Sequence, residues 1–343
     1  MRITRSLSAI TAVAAVFAVA ACGGTGGGTG SSDTVTVYSA DGLGDWYKAE
    51  FEDFTKHTGV KVALVEAGSG EVVSRAQKEK ANPQVDVLVT LPPFIQQAQQ
   101  QGSLAKSDVD TSAMPAQLKA TDGTYVAVVN NYFAMIRNTA AQPKPADWAE
   151  FTGPAFTQKI QYSTPGKAGD GTALLLLLQH VMGKEAALKY LADLQPNNVG
   201  PSTSTGKLGP KTSKGELTVA NSDVQMALAA IAADKVAYEV FYPVFNGKRT
   251  TLPLPYYMGL ADKAPHAANG KKLMEHLLSK DVQQNVPARA WGAPVRSDVT
   301  PSGPQWDAFQ KAIDGVEIWY PNWDEVLGGL DADIKSYEKA TGQ

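Results

Sequence analysis

Within the first hundred residues, segments with the apolar pattern of a strand alternate with segments that have the apolar spacing of a helix. Short apolar runs, largely β-branched, at 34–39, 60–66 and 85–90 predict three strands, and the apolar spacing over 46–57 predicts an amphipathic helix. Strands that alternate with helices predict a parallel sheet covered by helices, and ligands at such sheets bind beyond the carboxyl ends of the strands. We therefore expect the polar loops after these three strands to border one binding site.

The stretch 161–179 joins a predicted strand, a glycine-rich polar loop and an apolar helix. Gly169 and Gly171 allow the backbone to approach a ligand, and Asp170 or Thr172 can cap the helix. The free N–H groups and the positive end of the helix dipole would then face an oxyanion. The alternative is a capped, buried helix after an ordinary turn. Its five consecutive leucines are too few to span a bilayer, which needs about 20 apolar residues.

The second half of the chain repeats this alternation less regularly. Strands are predicted at 125–136 and 216–220, and Asp223 or Ser222 can cap a helix that begins at Val224. About 310 residues follow the amino-terminal segment, which is above the size at which a single core usually stops growing. We expect two lobes, with chain crossings near 128–132 and 248–252. This predicts a first lobe of residues 33–130 and 250–343 and a second lobe of residues 131–249.

Residues 1–22 have the features of a targeting segment. Arg2 and Arg5 precede an apolar stretch at 9–19, and small residues precede Cys22, the only cysteine in the chain. This arrangement resembles a bacterial lipoprotein signal, in which Cys22 would carry lipid; the alternative is an ordinary secretory peptide. Residues 23–32, GGTGGGTGSS, predict a flexible tether. We expect an exported protein that is lipid-anchored on the extracytoplasmic face of the cell membrane.

The charge balance argues against nucleic-acid binding. The chain has 31 basic and 34 acidic residues, a net charge of −3, and no long run of either sign. Its four histidines are scattered, and it has no HExxH motif, no GxSxG motif and no catalytic thiol. We therefore expect a binding protein, not an enzyme, that uses no metal and no cofactor.

Seven blocks of sequence carry a resemblance to a known family. They are 37–42 (VYSADG), 66–75 (EAGSGEVVSR), 86–94 (DVLVTLPPF), 162–172 (YSTPGKAGDGT), 197–202 (NNVGPS), 219–226 (VANSDVQM) and 248–256 (KRTTLPLPY). Together with the amino-terminal signal, they resemble the solute-binding proteins of 2-aminoethylphosphonate ABC importers. The resemblance implies an α/β, two-lobed periplasmic binding protein type II fold, related to ferric-ion and polyamine binders. Each lobe would be a mixed, mostly parallel sheet flanked by helices, with the ligand cleft between the lobes.

The resemblance also implies a ligand that is a small zwitterion at neutral pH. Helix N-termini and hydroxyl groups suit its phosphonate, whereas carboxylates and aromatic rings suit its ammonium. For the phosphonate we predict contacts from Ser39, Ser69, Gly70, Thr164, Gly171 and Thr172, with Lys167 adding charge from the rim.

For the ammonium we predict contacts from Asp41, Glu71, Asp223 and Tyr257, with Asp170, Tyr38 and Tyr256 as further candidates. Each has a structural alternative. Glu71 and Asp223 could only stabilise helix ends, Asp41 could only hold its turn, and the tyrosines could be ordinary packing. Asn130, Asn131 and Asn221 are predicted at strand ends, where bonds to the ligand or to neighbouring loops are equally plausible.

The implied mechanism is capture by lobe closure and delivery to a membrane permease and its ATPase, by a monomeric protein. A ferric-ion binder of the same fold is an alternative, because Tyr256 and Tyr257 form an adjacent tyrosine pair. A polyamine or phosphate binder is another.

Overall fold

The computed structural model describes residues 34–343; the predicted signal, Cys22 and the tether lie outside the described residues. The strands are β1 Thr34–Ala40, β2 Lys61–Ala67, β3 Val87–Thr90, β4 Leu104–Ala105, β5 Tyr125–Val129, β6 Phe133–Asn138, β7 Ile160–Gln161, β8 Val219–Asp223, β9 Tyr238–Phe241, β10 Val244–Phe245, β11 Lys248–Thr251, β12 Tyr256–Ala261 and β13 Glu317–Ile318.

The helices begin near the predicted positions in the first half of the chain. They are α1 Gly44–Thr58, α2 Ser69–Lys78, α3 Phe94–Gln100, α4 Gly169–Met182, α5 Lys184–Leu194, α6 Leu208–Ser213, α7 Val224–Asp234, α8 Ala267–Leu277, α9 Lys280–Gln284, α10 Val286–Ala290, α11 Pro304–Ile313 and α12 Trp323–Thr341. Within residues 34–343, no helix combines the length and the apolar character that crossing a membrane requires.

The first sheet has the strand order β2-β1-β3-β12-β4, and β5 also pairs with β12. The strands β1, β2 and β3 are parallel, as expected from the strand and helix alternation. In contrast, β12 runs antiparallel to β3, β4 and β5, because the chain re-enters this sheet from the opposite end after building the other half of the molecule. The expectation of a mostly parallel sheet is therefore wrong for this half.

The second sheet has the order β7-β8-β6-β9. Only β7 and β8 are parallel, whereas β6 is antiparallel to both β8 and β9. This sheet is not mostly parallel either. The strand β6 follows directly from the chain crossing and lies between β8 and β9, both of which run in the direction opposite to β6.

Each sheet has its own hydrophobic core. We call the first sheet with α1–α3 and α8–α10 the first lobe, and the second sheet with α4–α7, α11 and α12 the second lobe. The chain crosses between them at 130–132 and at 252–255, and the two crossings lie side by side, with Leu254 N donating to Asn131 O at 2.9 Å.

The carboxyl-terminal segment packs on the second lobe. Tyr337 of α12 is fully buried there, with its hydroxyl 3.1 Å from that of Tyr162, and Phe309 of α11 packs against Ala134 and Val224. The expected first lobe of 33–130 and 250–343 therefore differs from the packing, which joins α11 and α12 to the other core. Local pattern does not reveal this, because an amphipathic helix can pack on either lobe.

Candidate functional site

Three aspartates from separate elements converge where the two lobes meet. Asp41 follows β1, Asp170 lies in the first turn of α4, and Asp223 ends β8. Tyr256 of β12 links two of them, with its hydroxyl 3.1 Å from Asp41 O and 3.2 Å from Asp223 Oδ2. We call Asp41, Asp170 and Asp223 the acidic cluster.

Asp223 has the predicted helix-capping role and also faces the cluster. Its Oδ1 accepts a hydrogen bond of 2.7 Å from Met226 N, which caps α7, and its Oδ2 faces Tyr256. The side chain is fully buried. Capping and cluster membership are therefore compatible, because each uses a different carboxylate oxygen.

Asp41 joins the two lobes. Its Oδ2 accepts hydrogen bonds from Ser204 Oγ at 2.5 Å and from Gly206 N at 2.9 Å, both in the second lobe. A second bond between the lobes runs from Gly70 N to Lys167 O at 2.8 Å. The loops on the two sides of the cleft are thus in contact in this structure.

Asp170 is the least satisfied member of the cluster. Its Oδ2 accepts a hydrogen bond of 2.9 Å from Thr205 Oγ1, but no partner within residues 34–343 reaches Oδ1, although the residue is only 3% exposed. Burying a carboxylate oxygen without a hydrogen-bond partner has a desolvation free-energy cost that an exposed oxygen does not have. Such a group is stabilised by a proton, a cation or a hydrogen-bond donor.

The pKa values of two carboxylates in the cluster, those of Asp170 and Asp223, are raised. Burial, with the charges of Asp223 and Asp41, raises the pKa of Asp170 well above its ordinary range. Burial and the charge of Asp41 raise the pKa of Asp223 to about 6, although hydrogen bonds from Met226 N and Tyr256 oppose the shift. The cluster therefore has a high affinity for positive charge.

The N-termini of α2 and α4 face each other beside the cluster. Ser69 Oγ lies 2.9 Å from the position that a Cβ on Gly169 would occupy. A Cβ on Gly171 would lie 1.9 Å from Ser163 O, so glycine is required there for α4 to start against the strand exit. Neither helix has an N-cap side chain bonded to its first turn, although at α2 Glu71 bonds Gly68 N and Gly70 N donates to Lys167 O. The first turn of α4 and the positive ends of two helix dipoles therefore lie at one place.

Several predicted phosphonate contacts have other partners. The Ser39 hydroxyl is buried between Ala40 O and Tyr47 OH, and Thr164 Oγ1 accepts a bond from Ser202 N. The Thr172 hydroxyl donates to Ala168 O and accepts from Gly166 N, which shapes the turn before α4. Their hydroxyl groups hold the loops, while Ser69, Gly70 and Gly171 lie at the facing helix starts.

Two predicted ammonium contacts lie away from the acidic cluster. Glu71 is exposed, and its Oε2 accepts a bond from Gly68 N, the helix-end alternative stated above. Tyr257 follows Tyr256 on β12 and therefore points to the opposite face of the sheet, where its hydroxyl donates to Gln117 O at 3.1 Å. Tyr38 pairs instead with Glu79, on the rim side.

A hydrogen-bond network that sequence reasoning did not assign holds the loops behind the cluster. Ser163 Oγ accepts a bond of 2.9 Å from Asn221 Nδ2 and lies 2.9 Å from Thr205 Oγ1, and Ser163 N donates to Asn221 Oδ1 at 2.8 Å. The signal in the sequence was the run of hydroxyl residues at 202–205 and the asparagine at the end of β8. For Asn221 the neighbouring-loop alternative applies.

No group of three or more His, Cys, Asp or Glu side chains suited to a metal ion occurs in the described part of the chain, residues 34–343. The adjacent tyrosines, Tyr256 and Tyr257, point to opposite faces of β12 and bond to different partners, so they cannot share one ion. The feature that suggested a ferric-ion site therefore does not form one.

Comparisons with known proteins agree with this architecture. Residues 49–314 match the family model of bacterial extracellular solute-binding proteins. A periplasmic protein of Salmonella typhimurium, provisionally named for binding 2-aminoethylphosphonate, is 47% identical over 315 residues, covering 90% of this chain and 92% of that protein.

Two solved structures show the same fold at low identity. A periplasmic thiamin binding protein has a TM-score of 0.77 and 20% identity, covering 90% of this chain and 96% of that chain. The apo ferric ion-binding protein A of Pasteurella haemolytica has a TM-score of 0.69 and 17% identity, covering 90% and 98%. The periplasmic binding protein fold expected from sequence is confirmed.

The raised pKa values predict how ligand-free stability depends on pH. Between about pH 4 and pH 6 the folded protein binds more protons than the unfolded chain at Asp223, so the free energy of unfolding falls as pH rises. A shift of this size is worth on the order of 1–3 kcal/mol. Urea unfolding of the ligand-free protein at pH 5 and pH 7.5 should show this loss.

The control separates this effect from the titration of other carboxylates. Asp223→Asn retains a good helix cap and should reduce the loss between the two pH values, whereas Glu52→Gln at an exposed position should not. If the free energy of unfolding of Asp223→Asn depended on pH as it does in the wild type, repulsion in the cluster would not be the cause of the loss.

Proposed function

The chain belongs to the family of bacterial extracellular solute-binding proteins, which are transport proteins and not enzymes, and on that basis we propose that it captures 2-aminoethylphosphonate between its lobes. The captured ligand is delivered to the permease and ATPase of an ABC importer. The 47% identical relative named for this ligand supports the choice of solute.

The unpaired oxygen of Asp170 is the observation that carries the proposal. Burial disfavours the ionised forms of Asp170 and Asp223, and the negative charge of Asp41 beside them adds to that cost. A primary ammonium has three N–H donors and a positive charge, so it supplies both the missing partner of Asp170 Oδ1 and the compensating charge. The ammonium of the ligand therefore binds at the acidic cluster.

The phosphonate binds at the facing helix starts. Ser69 of α2 and the turn Gly169–Gly171 of α4 provide N–H groups, a hydroxyl and two dipole ends for its oxygens. Asp170 belongs to the same turn of α4 that offers these N–H groups. The anion and cation sites are thus adjacent, as a ligand with two carbons between its charged groups requires.

Capture requires the lobes to open and close. Asp223 and Tyr256 are completely buried in this arrangement, so a ligand can reach them only when the lobes separate. The bonds from Ser204 and Gly206 to Asp41 and from Gly70 to Lys167 then close the cleft. The ligand contacts both lobes and favours the closed form, which the permease recognises.

We further propose that Cys22 anchors the protein to the membrane through lipid. The apolar stretch, the small residues before Cys22 and the glycine-rich sequence after it support this.

The ammonium site is tested by Asp223→Asn. The amide keeps the helix cap but loses the charge, so we expect 2-aminoethylphosphonate to bind at least about 30-fold more weakly. Ethylphosphonate, which lacks the amine, should bind weakly to the wild type and no worse to the variant. Titration calorimetry on residues 31–343 measures both ligands.

Asp193→Asn on the exposed face of α5 is the matched control and should bind like the wild type. An equal loss for both ligands in Asp223→Asn would assign the residue a purely structural role. Binding of ferric citrate or phosphate in place of 2-aminoethylphosphonate would refute the proposed ligand and leave the transport family intact.

The phosphonate site is tested by Ser69→Ala. Loss of a hydroxyl that bonds to a charged oxygen should weaken 2-aminoethylphosphonate binding about 10- to 100-fold. Ser74→Ala, at an exposed position on the same helix, controls for effects on α2 and should leave the affinity unchanged. Unaltered affinity in Ser69→Ala would move the phosphonate away from α2.

The anchor is tested by Cys22→Ser in the full-length protein. We expect the wild type in the membrane fraction and the variant in the soluble extracytoplasmic fraction, with 2-aminoethylphosphonate affinity unchanged, because the lipid is the attachment. A wild type that is already soluble would indicate an ordinary secretory peptide.

A further inference from the structure

A second concave site lies on the side of the first sheet opposite Tyr256. It has a volume of about 480 Å³ and is lined by residues of α3, β5 and β12, by both chain crossings and by the start of α12. Five aromatic side chains border it: Tyr125, Tyr132, Tyr257, Tyr320 and Trp323. We call it the aromatic groove. It shares no lining residue with the acidic cluster.

The rings of the aromatic groove are held in place at its base and open at its mouth. Tyr125 and Tyr257 meet edge to face, with centroids 5.2 Å apart and an interplanar angle of 74°. Tyr320 is 64% exposed and is one of only two large hydrophobic side chains in residues 34–343 that are exposed to solvent. A ring so exposed at the edge of a concavity gains little from the core, which favours a role in contacting another molecule.

An unpaired acceptor lies at the base of the groove. Gln96 of α3 is only 5% exposed, and no partner within the described residues reaches its Oε1. Burial raises the pKa of Tyr125, and the neighbouring side chain of Gln96 opposes that shift. The remaining oxygen requires an N–H or O–H donor from a molecule in the groove.

The charged groups at the groove favour a cation. Asp324 is exposed at the mouth, where it brings a negative charge. Lys119 also borders the groove, but its Nζ donates to Thr111 O at 2.7 Å, away from the rings. Aromatic faces carry negative potential and attract ammonium groups within about 6 Å of a ring centroid.

We propose that the aromatic groove binds a small organic cation, an alkyl or methyl ammonium compound, independently of the acidic cluster. The rings contact its apolar and charged surface, Gln96 Oε1 accepts a hydrogen bond from its donor group, and Asp324 supplies the counter-charge. Because the groove is lined by both chain crossings and by α12, a ligand there contacts residues of both lobes.

The experiment uses choline and its uncharged isostere 3,3-dimethylbutan-1-ol as probes on residues 31–343, with binding followed by calorimetry and by the fluorescence of the tryptophans. Choline should bind and the isostere should not, because only choline carries charge. Tyr320→Ala removes an exposed ring without opening the core and should weaken choline binding about 2- to 30-fold, the range expected for one cation–π contact.

Three controls locate the site. Gln96→Leu keeps the volume but removes the acceptor and should weaken choline binding. Asp223→Asn should leave choline binding intact, and Tyr320→Ala should leave 2-aminoethylphosphonate binding intact. Three results would each overturn the proposal: no binding of choline, equal binding of the isostere, or a loss of choline binding in Asp223→Asn but not in Tyr320→Ala. None of these results bears on the proposed transport function.

Discussion

The structure depends on the repulsion among three carboxylates, two of them buried, at the place where the two lobes meet. Asp170 of α4 and Asp223 of β8 both belong to the second lobe, and the approach of the first lobe adds Asp41 to them. Like charges in a poorly solvated space are unfavourable unless a proton or a cation compensates them. Under the proposed function, closure adds the charge of Asp41 to those of Asp170 and Asp223 and is therefore coupled to the capture of positive charge.

The surrounding polar network keeps the carboxylates close together, so that their repulsion persists. Ser163, Thr205 and Asn221 fix the loops through hydrogen bonds of 2.8–2.9 Å, so the carboxylates cannot relax by turning away. The buried helix α4 has the same effect: leucines 174–178 are all at most 4% exposed and hold its first turn, with Asp170, in place. A satisfied network beside one unsatisfied oxygen is the pattern of a preorganised binding site.

Much of this could be predicted from the sequence, where the evidence was local. The strand exits at Asp41 and Asp223, the cap of α7 and the glycine loop before α4 follow from periodicity and turn chemistry. The antiparallel entry of β12, the docking of α12 on the second lobe and the face to which Tyr257 points depend on long-range pairing, which local pattern does not encode. The hydroxyls of Thr164 and Thr172 bond within the loops, and sequence does not distinguish this from ligand contact, because the same residue types bond to loops and to ligands.

The acidic cluster also explains how a site that attracts tetrahedral anions could reject inorganic phosphate. Facing helix N-termini bind any such anion, so they cannot discriminate by themselves. Phosphate would occupy them while leaving Asp170 and Asp223 uncompensated, and its own charge would add to theirs. Under the proposed function, 2-aminoethylphosphonate carries the compensating ammonium in the same molecule. Specificity would then come from a penalty on the wrong ligand as much as from bonds to the right one.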